Sequence, residues 1–290
     1  SIRDLEQLSG IKAHTLRIWE QRYNIVSPKR TDSNIRYYDD VDLKLILNIS
    51  LLKDHGFKIS HIAEMTEEQM REEVVKITEK SHSSSEQVQA LTLAMIELDE
   101  ERFEKILSTN VLQLGFERTM MQIIYPFLVK VGVLWQTGAV HPAQEHFMSN
   151  LIRQKLIVAI DGQVSKSNPN AQKFLLFLPE GELHELSLLF ACYLVKSRHH
   201  KVIYLGQSLP LQDLYEVYKV YQPNYLMTVA TSHPNQDNVQ TYIDQLSQKF
   251  SDAKIFLSGY QIVGQDLNIP DNAMLIHKIN DLVEYIENLR

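Results

Sequence analysis

His184 stands in the stretch Glu180-Gly-Glu-Leu-His184-Glu-Leu-Ser187, directly after the strand-like run Lys173-Phe-Leu-Leu-Phe-Leu-Pro179. In an open parallel α/β sheet, ligands bind outside the carboxyl ends of the strands. A neutral imidazole at such a place can ligate a metal. A second group of interest is upstream: Trp135, then Glu145-His146 after nine intervening residues.

From about residue 170 the pattern supplies the frame for His184. Short apolar runs recur at Phe174–Leu178, Val202–Leu205, Tyr225–Val229, Ile255–Leu257 and Met274–Ile276. Helix-compatible segments separate them near 185–197, 211–221, 236–250 and 280–289. Strand–helix alternation predicts a doubly wound parallel sheet with both faces covered, which is why the strands are not cleanly alternating. No glycine-rich dinucleotide fingerprint follows the first run, which argues against a nicotinamide or flavin nucleotide. Tyr215, Tyr218 and Tyr221 read as helix packing, and His199-His200 as a pair solvated or dipole-stabilised at a helix end, not metal-binding.

Residues 87–168 read as a helical bundle of about four helices. Apolar stripes run through Val88, Leu91, Met95 and Leu98, then Phe103, Ile106 and Leu107, then Phe116 to Phe127, then Phe147 to Ile160. Pro126 interrupts the third, and Trp135 to Pro142 breaks between the last two helices. The polar stretch 76–86 reads as a linker or a fraying helix.

Residues 1–75 have a different character. A short helix, a Ser9-Gly10 turn and a second helix carrying Leu16, Trp19 and Tyr23 give the shape that inserts a helix into a major groove. Pro28 and the turn residues Asp32-Ser33-Asn34 lead into Ile35-Arg36-Tyr37-Tyr38, a short strand of a β-wing. Thr15-Leu-Arg17-Ile-Trp19-Glu20-Gln-Arg22-Tyr23, then Pro28-Lys29-Arg30, then Asn34-Ile-Arg36-Tyr37-Tyr38, closely resembles the winged helix-turn-helix of MerR-type regulators. The resemblance implies binding to double-stranded operator DNA through Arg17, Arg22, Lys29, Arg30 and Arg36, with Tyr37 and Tyr38 in the wing.

The remainder resembles the cobalamin-binding module of methionine synthase and its relatives. That likeness implies His184 as the lower axial cobalt ligand, Glu182 as its hydrogen-bonding partner that sets which ring nitrogen faces cobalt, Ser187 as the small residue that lets a corner of the corrin approach the helix start, Thr228 as a contact of the cofactor's nucleotide tail, and Ser258-Gly259 as the lining of the tail's slot. Ser187 and Ser258 stand where the family has glycine. Trp135 with Glu145-His146 resembles the light-sensing, adenosylcobalamin-dependent MerR-type repressors of the CarA/CarH/LitR kind. In that family these three residues line the pocket of the adenosyl group. A histidine that follows the tryptophan there is Gln136 here. His146 or His141 would then take its place, the photoproduct differs, or light is not the signal.

The implied protein is a regulator, not an enzyme, whose assembly through the C-terminal domains (residues 169–290) presents several DNA heads. Two alternatives remain. One is the same scaffold serving another ligand or an antirepressor protein without cobalamin. The other is a corrinoid carrier in methyl transfer.

Composition agrees. Residues 1–38 hold seven basic against four acidic residues, although the whole chain of 290 residues carries −7. A basic head suits phosphate contact. Cys192 is the single cysteine and lies in an apolar run, so a core role and a reducing cytoplasmic setting are expected. No apolar run reaches the roughly 20 residues of a membrane span, and no signal segment opens the sequence.

Overall fold

The computed structural model describes residues 2–26, 28–30, 36–80, 84–136, 140–164 and 168–289, and a few side chains within these ranges, including Trp135 and Gln136, lie outside the description. The chain divides into two compact units, Ser1–Leu151 and Ile152–Arg290.

The first unit opens with α1 (Ile2–Ser9) and α2 (Ala13–Tyr23). Leu16 and Trp19 form the buried stripe of α2, and Lys53 Nζ stands 4.9 Å over the Trp19 ring. Asn24 ends α2 in the left-handed conformation, returning its N–H to Glu20. Strands β1 (Lys29–Arg30) and β2 (Arg36–Tyr37) pair antiparallel, with Lys29 opposite Tyr37. This is the expected wing; its turn residues Asp32, Ser33 and Asn34, with Ile35, lie outside the described residues. A reciprocal capping box between Asp39 and Asp42 starts α3 (Asp40–Asp54). Ser50 Oγ on α3 donates to the Ser9 carbonyl at 2.7 Å, fastening α3 to the end of α1. Helices α4 (Ile59–Ile62) and α5 (Glu67–Lys80) follow.

Helix also covers much of the expected linker: α5 runs to Lys80 and α6 (Ser84–Glu97) begins at Ser84, with residues 81–83 outside those described. The bundle continues with α7 (Glu100–Leu114), α8 (Phe116–Thr119), a π-helical turn over Met120–Ile124, α9 (Tyr125–Gln136) and α10 (Pro142–Asp161). The π turn has a cause in the sequence. Pro126 brings no N–H and its ring crowds the carbonyl four residues back, and a widened turn just upstream accommodates both. From Ile152 onward, α10 belongs to the second unit.

In the second unit the five apolar runs become β3 (Lys173–Pro179), β4 (Lys201–Leu209), β5 (Tyr225–Val229), β6 (Lys254–Ser258) and β7 (Ala273–Leu275). They form one wholly parallel sheet in the order β4-β3-β5-β6-β7. Helices α11 (Leu186–Ser197), α12 (Leu211–Tyr221), α13 (Gln236–Lys249) and α14 (Ile279–Glu287) alternate with them. One face of the sheet, through Leu175, Phe177, Leu226, Ile255 and Leu257, packs with Leu214 of α12 and Val239, Ile243 and Leu246 of α13. Tyr215, Tyr218 and Tyr221 pack against this core, as read from the sequence. Cys192 is buried, which pushes its thiol up to about 11. His200 corrects one expectation. It is buried, its Nδ1 accepts a hydrogen bond from the Gln172 N–H, and its ring lies 5.6 Å from that of Phe174. Burial lowers its pKa.

The chain leaves β3 toward β4 on one side and later returns to β5 on the other. The crevice between the ends of β3 and β5 is therefore the topological switch point, where such sheets bind ligands.

Candidate functional site

The loop after β3 enters this crevice, and Glu182 organises it. Its side chain is fully buried, and one oxygen accepts the backbone N–H of Leu183 at 2.9 Å and of His184 at 3.0 Å. The other accepts three consecutive N–H groups from the loop after β5: Thr231 at 2.8, Ser232 at 2.6 and His233 at 3.0 Å. Burial alone would raise this carboxyl. The N–H groups of His233, Ser232 and His184 and the His184 ring outweigh it and hold the pKa down to about 2. The carboxylate is thus ionised at any ordinary pH and pins the β3 loop to the β5 loop.

His184 reads this charge directly. Its Nδ1 lies 2.6 Å from Glu182 Oε1, and 63% of its side chain remains exposed. An ionised carboxylate only accepts, so Nδ1 carries the proton. In the neutral ring the lone pair is then on Nε2, which makes no hydrogen bond among the described residues. A fixed tautomer with an open Nε2 is the arrangement of a metal-ligating histidine. Among the described residues no group of three or more His, Cys, Asp or Glu side chains is placed to hold a metal. A metal that brings its own equatorial ligands, as in a corrin, needs only the one imidazole.

The other cofactor residues expected in this unit gather at the same end of the sheet. Ser187 is half-buried in the first turn of α11. Thr228 is the last but one residue of β5, and its buried hydroxyl has the Tyr242 side chain of α13 beside it. His184, with Nε2 open on the pinned β3 loop, fits a cobalamin at the carboxyl end of the central strands. Ser258 donates to the Ile276 carbonyl at 2.8 Å, so its hydroxyl is already used. Gly259, at φ +103°, is required by packing: a Cβ there would lie 2.3 Å from the Ala230 carbonyl oxygen.

Glu145 and His146 lie in the first unit, in the first turns of α10, with His146 Nδ1 2.8 Å from Glu145 Oε2. Trp135 is near the end of α9, and its side chain lies outside the description.

The basic head presents most of its expected residues to solvent. Arg17 and Arg22 are exposed on α2 beside Ile18, itself 51% exposed, while Leu16 and Trp19 point inward. Lys29, Arg30, Arg36 and Tyr37 are exposed on the two wing strands. Lys29 pairs with Asp39, Arg36 stands 3.9 Å from Glu20, and the Arg22 guanidinium lies over the Tyr23 ring. Tyr38 is half-buried and lines a small hollow with Leu5, Leu16, Trp19 and Ile46. Burial, and secondarily Glu20, raises its pKa.

Sequence reasoning missed the partners of Glu182. Thr231, Ser232 and His233 are about fifty residues away, and only the parallel pairing of β3 with β5 brings them in. Glu185 was missed too: it is buried and accepts from Arg153 Nε and, at 2.8 Å, from the Tyr204 hydroxyl. A charged residue beside His184 carried no signal of burial.

Residues 1–69 match the MerR HTH family regulatory protein model, and residues 87–159 match a B12 binding domain model. The HTH-type transcriptional repressor CarH of Myxococcus xanthus is 27% identical over 233 residues, covering 78% of this chain and 77% of that protein. CarA of the same organism is 28% identical over 218 residues, covering 73% and 70%. The fold resembles that of the Methanosarcina barkeri monomethylamine corrinoid protein, with a TM-score of 0.54 at 11% identity over 68% of this chain and 95% of that one. The chain therefore joins a MerR-type helix-turn-helix region to a B12-binding region and is homologous to the CarH and CarA transcriptional repressors.

Proposed function

We propose that this chain is a transcriptional repressor whose operator affinity is set by adenosylcobalamin held on His184. The observation that carries the reading is the His184–Glu182 pair: a buried, ionised carboxylate fixes the ring proton on Nδ1 and leaves Nε2 open at the switch point of the sheet. In this reading residues 1–75 are the DNA head, 76–86 the link, 87–168 the bundle over the cofactor and 169–290 the cobalamin-binding layer. His184 holds the cobalt, and Glu182 keeps the imidazole in the ligating tautomer. Thr228 meets the nucleotide tail, Ser258 and Gly259 line its slot, and Ser187 gives a corner of the corrin room at the start of α11. Trp135, Glu145 and His146 take the adenosyl side, as in the family resembled. Arg17, Arg22, Lys29, Arg30 and Arg36 meet the phosphates and the groove, with Tyr37 and Tyr38 in the wing.

When bound, the cofactor would supply a cobalt–carbon bond labile to visible light. The chain's part is to bind one form of the cofactor better in an assembly than in a single copy, which shifts the population. A homo-oligomer joined through the C-terminal domains presents several heads and gains operator avidity without new base contacts. The protein performs no catalysis, and its setting is the cytoplasm. Gln136, at the family's histidine position, favours a second reading in which the signal is an antirepressor protein or another ligand rather than light.

The test uses the purified full chain and a duplex recovered from a random pool by the protein itself. Adenosylcobalamin in the dark should tighten binding to that duplex at least about tenfold, and illumination should reverse it. Equal affinity with cofactor, without it and after light overturns the proposal. A dark gain that light leaves intact keeps the cofactor and favours the second reading of the signal.

A further inference from the structure

The His184 loop is held from two sides: the loop after β5 binds the Glu182 side chain, and the end of the edge strand β4 binds its backbone. Pairing there slips twice: Leu176 faces Tyr204, Phe177 faces Gly206, and Pro179 faces Leu209. β4 thus carries extra residues against β3, the signature of bulges, which re-aim side chains beside functional sites. Gly206 takes φ +77°, and Ser208, although not glycine, takes φ +51°. Such a conformation in a serine is uncommon and costs energy, which asks for a return elsewhere.

The return is three hydrogen bonds to three consecutive residues just before His184. Ser208 Oγ accepts the Gly181 N–H at 3.1 Å. Ser208 N–H donates to the Glu182 carbonyl at 3.2 Å. Gln207 Nε2 donates to the Leu183 carbonyl at 2.7 Å. Gln207 and Ser208 are both exposed, so neither fills the core. Gly181 is closed in as well, because a Cβ on it would come within 3.1 Å of the His233 ring. The segment from Gly181 to Leu183 is therefore tied to β4 through its backbone, while the Glu182 side chain ties it to β5.

We propose that Gln207 and Ser208 are positioning residues for the axial imidazole. Glu182 fixes the tautomer and tilt of His184. Gln207 and Ser208 fix the main chain from which His184 projects, and so the direction in which Nε2 meets the cobalt of an incoming corrinoid. The proposal rests on the reading of His184 as the ligand. It predicts that the β4 bulge influences cobalt ligation without being needed for folding.

The test uses three variants of the full chain. Ser208→Gly deletes the hydroxyl and relieves the left-handed strain. Gln207→Glu keeps the shape and removes the donor. Gln207→Ala removes both. Adenosylcobalamin affinity is measured by visible absorbance, thermal stability without cofactor, and nitrogen splitting in the electron paramagnetic resonance of the bound cobalt(II) form. The expected result is affinity about tenfold weaker in Ser208→Gly and Gln207→Glu, at the low end of the range for residues that orient metal ligands. Nitrogen splitting should fall with it, while thermal stability without cofactor stays at or above that of the parent. Unchanged affinity and splitting beside a normal parent overturn the positioning role alone. A loss of affinity that tracks a loss of stability also overturns it, because the residues are then merely structural. A parent with no nitrogen splitting at all defeats the underlying reading of His184, and this inference with it.

Discussion

Glu182 shows how one buried carboxylate can be made permanent. Five backbone N–H groups, the Ser232 hydroxyl and the His184 ring surround it. Its pKa is depressed on folding, from an ordinary 4.5 to about 2. The stability this contributes is present above the unfolded value and lost as pH falls through the folded one. Denaturant unfolding between pH 5 and 2 should therefore show a steeper acid loss in the parent than in Glu182→Gln. At neutral pH Glu182→Gln should cost about 2 kcal/mol, since it weakens several charge-assisted bonds. Equal acid slopes would contradict this account of Glu182. Glu185 is the other buried carboxylate of the region, and it depends on Tyr204 and the half-exposed Arg153. Tyr204→Phe leaves the shape and removes one donor to a charge, with an expected cost of about 1.5–2 kcal/mol by denaturant midpoint.

At the scale of elements, turns and strand ends carry the constraints. Gly259 brings the end of β6 against the Ala230 backbone, so Gly259→Ala adds both a clash and an unfavourable φ. It should cost about 3 kcal/mol or more, seen as a large drop in thermal midpoint. A neutral result would mean the loop relaxes freely. The central strands β3, β5 and β6 were legible because buried parallel strands are continuous apolar runs, and the less buried edge strands β4 and β7 carry short apolar runs too, so all five runs became strands. His184 and Glu182 were legible because their chemistry lies within one local motif. Thr231–His233 were not, because their place is set by strand pairing across fifty residues. The bulge in β4 was equally hidden: Gln207 and Ser208 look like ordinary exposed polar residues. His200 was misread because a helix-end histidine looks solvated until Gln172 and Phe174 pack over it.

At the scale of the whole molecule, charge is divided between a basic head and an acidic remainder. Each phosphate neutralised on duplex DNA adds about 0.9 to the slope of log affinity against log salt. Arg17 makes no ion pair among the described residues, whereas Lys29 pairs with Asp39 and Arg36 approaches Glu20. Arg17→Ala should flatten the salt slope by about one. Lys29→Ala should flatten it less, because Asp39 competes for that charge. Fluorescence anisotropy on one duplex at several salt concentrations distinguishes them, and unchanged slopes would remove these residues from the interface. Among the described residues no helix is long and apolar enough to cross a membrane.

The central claim is that the His184 imidazole meets cobalt. It is tested most directly by titrating the parent and His184→Ala with adenosylcobalamin in the dark and following the visible spectrum. The expected outcome is a saturable spectral change in the parent, with binding weakened about tenfold or more and a spectrum lacking imidazole ligation in the variant. Identical titrations and identical spectra for the two proteins would contradict it.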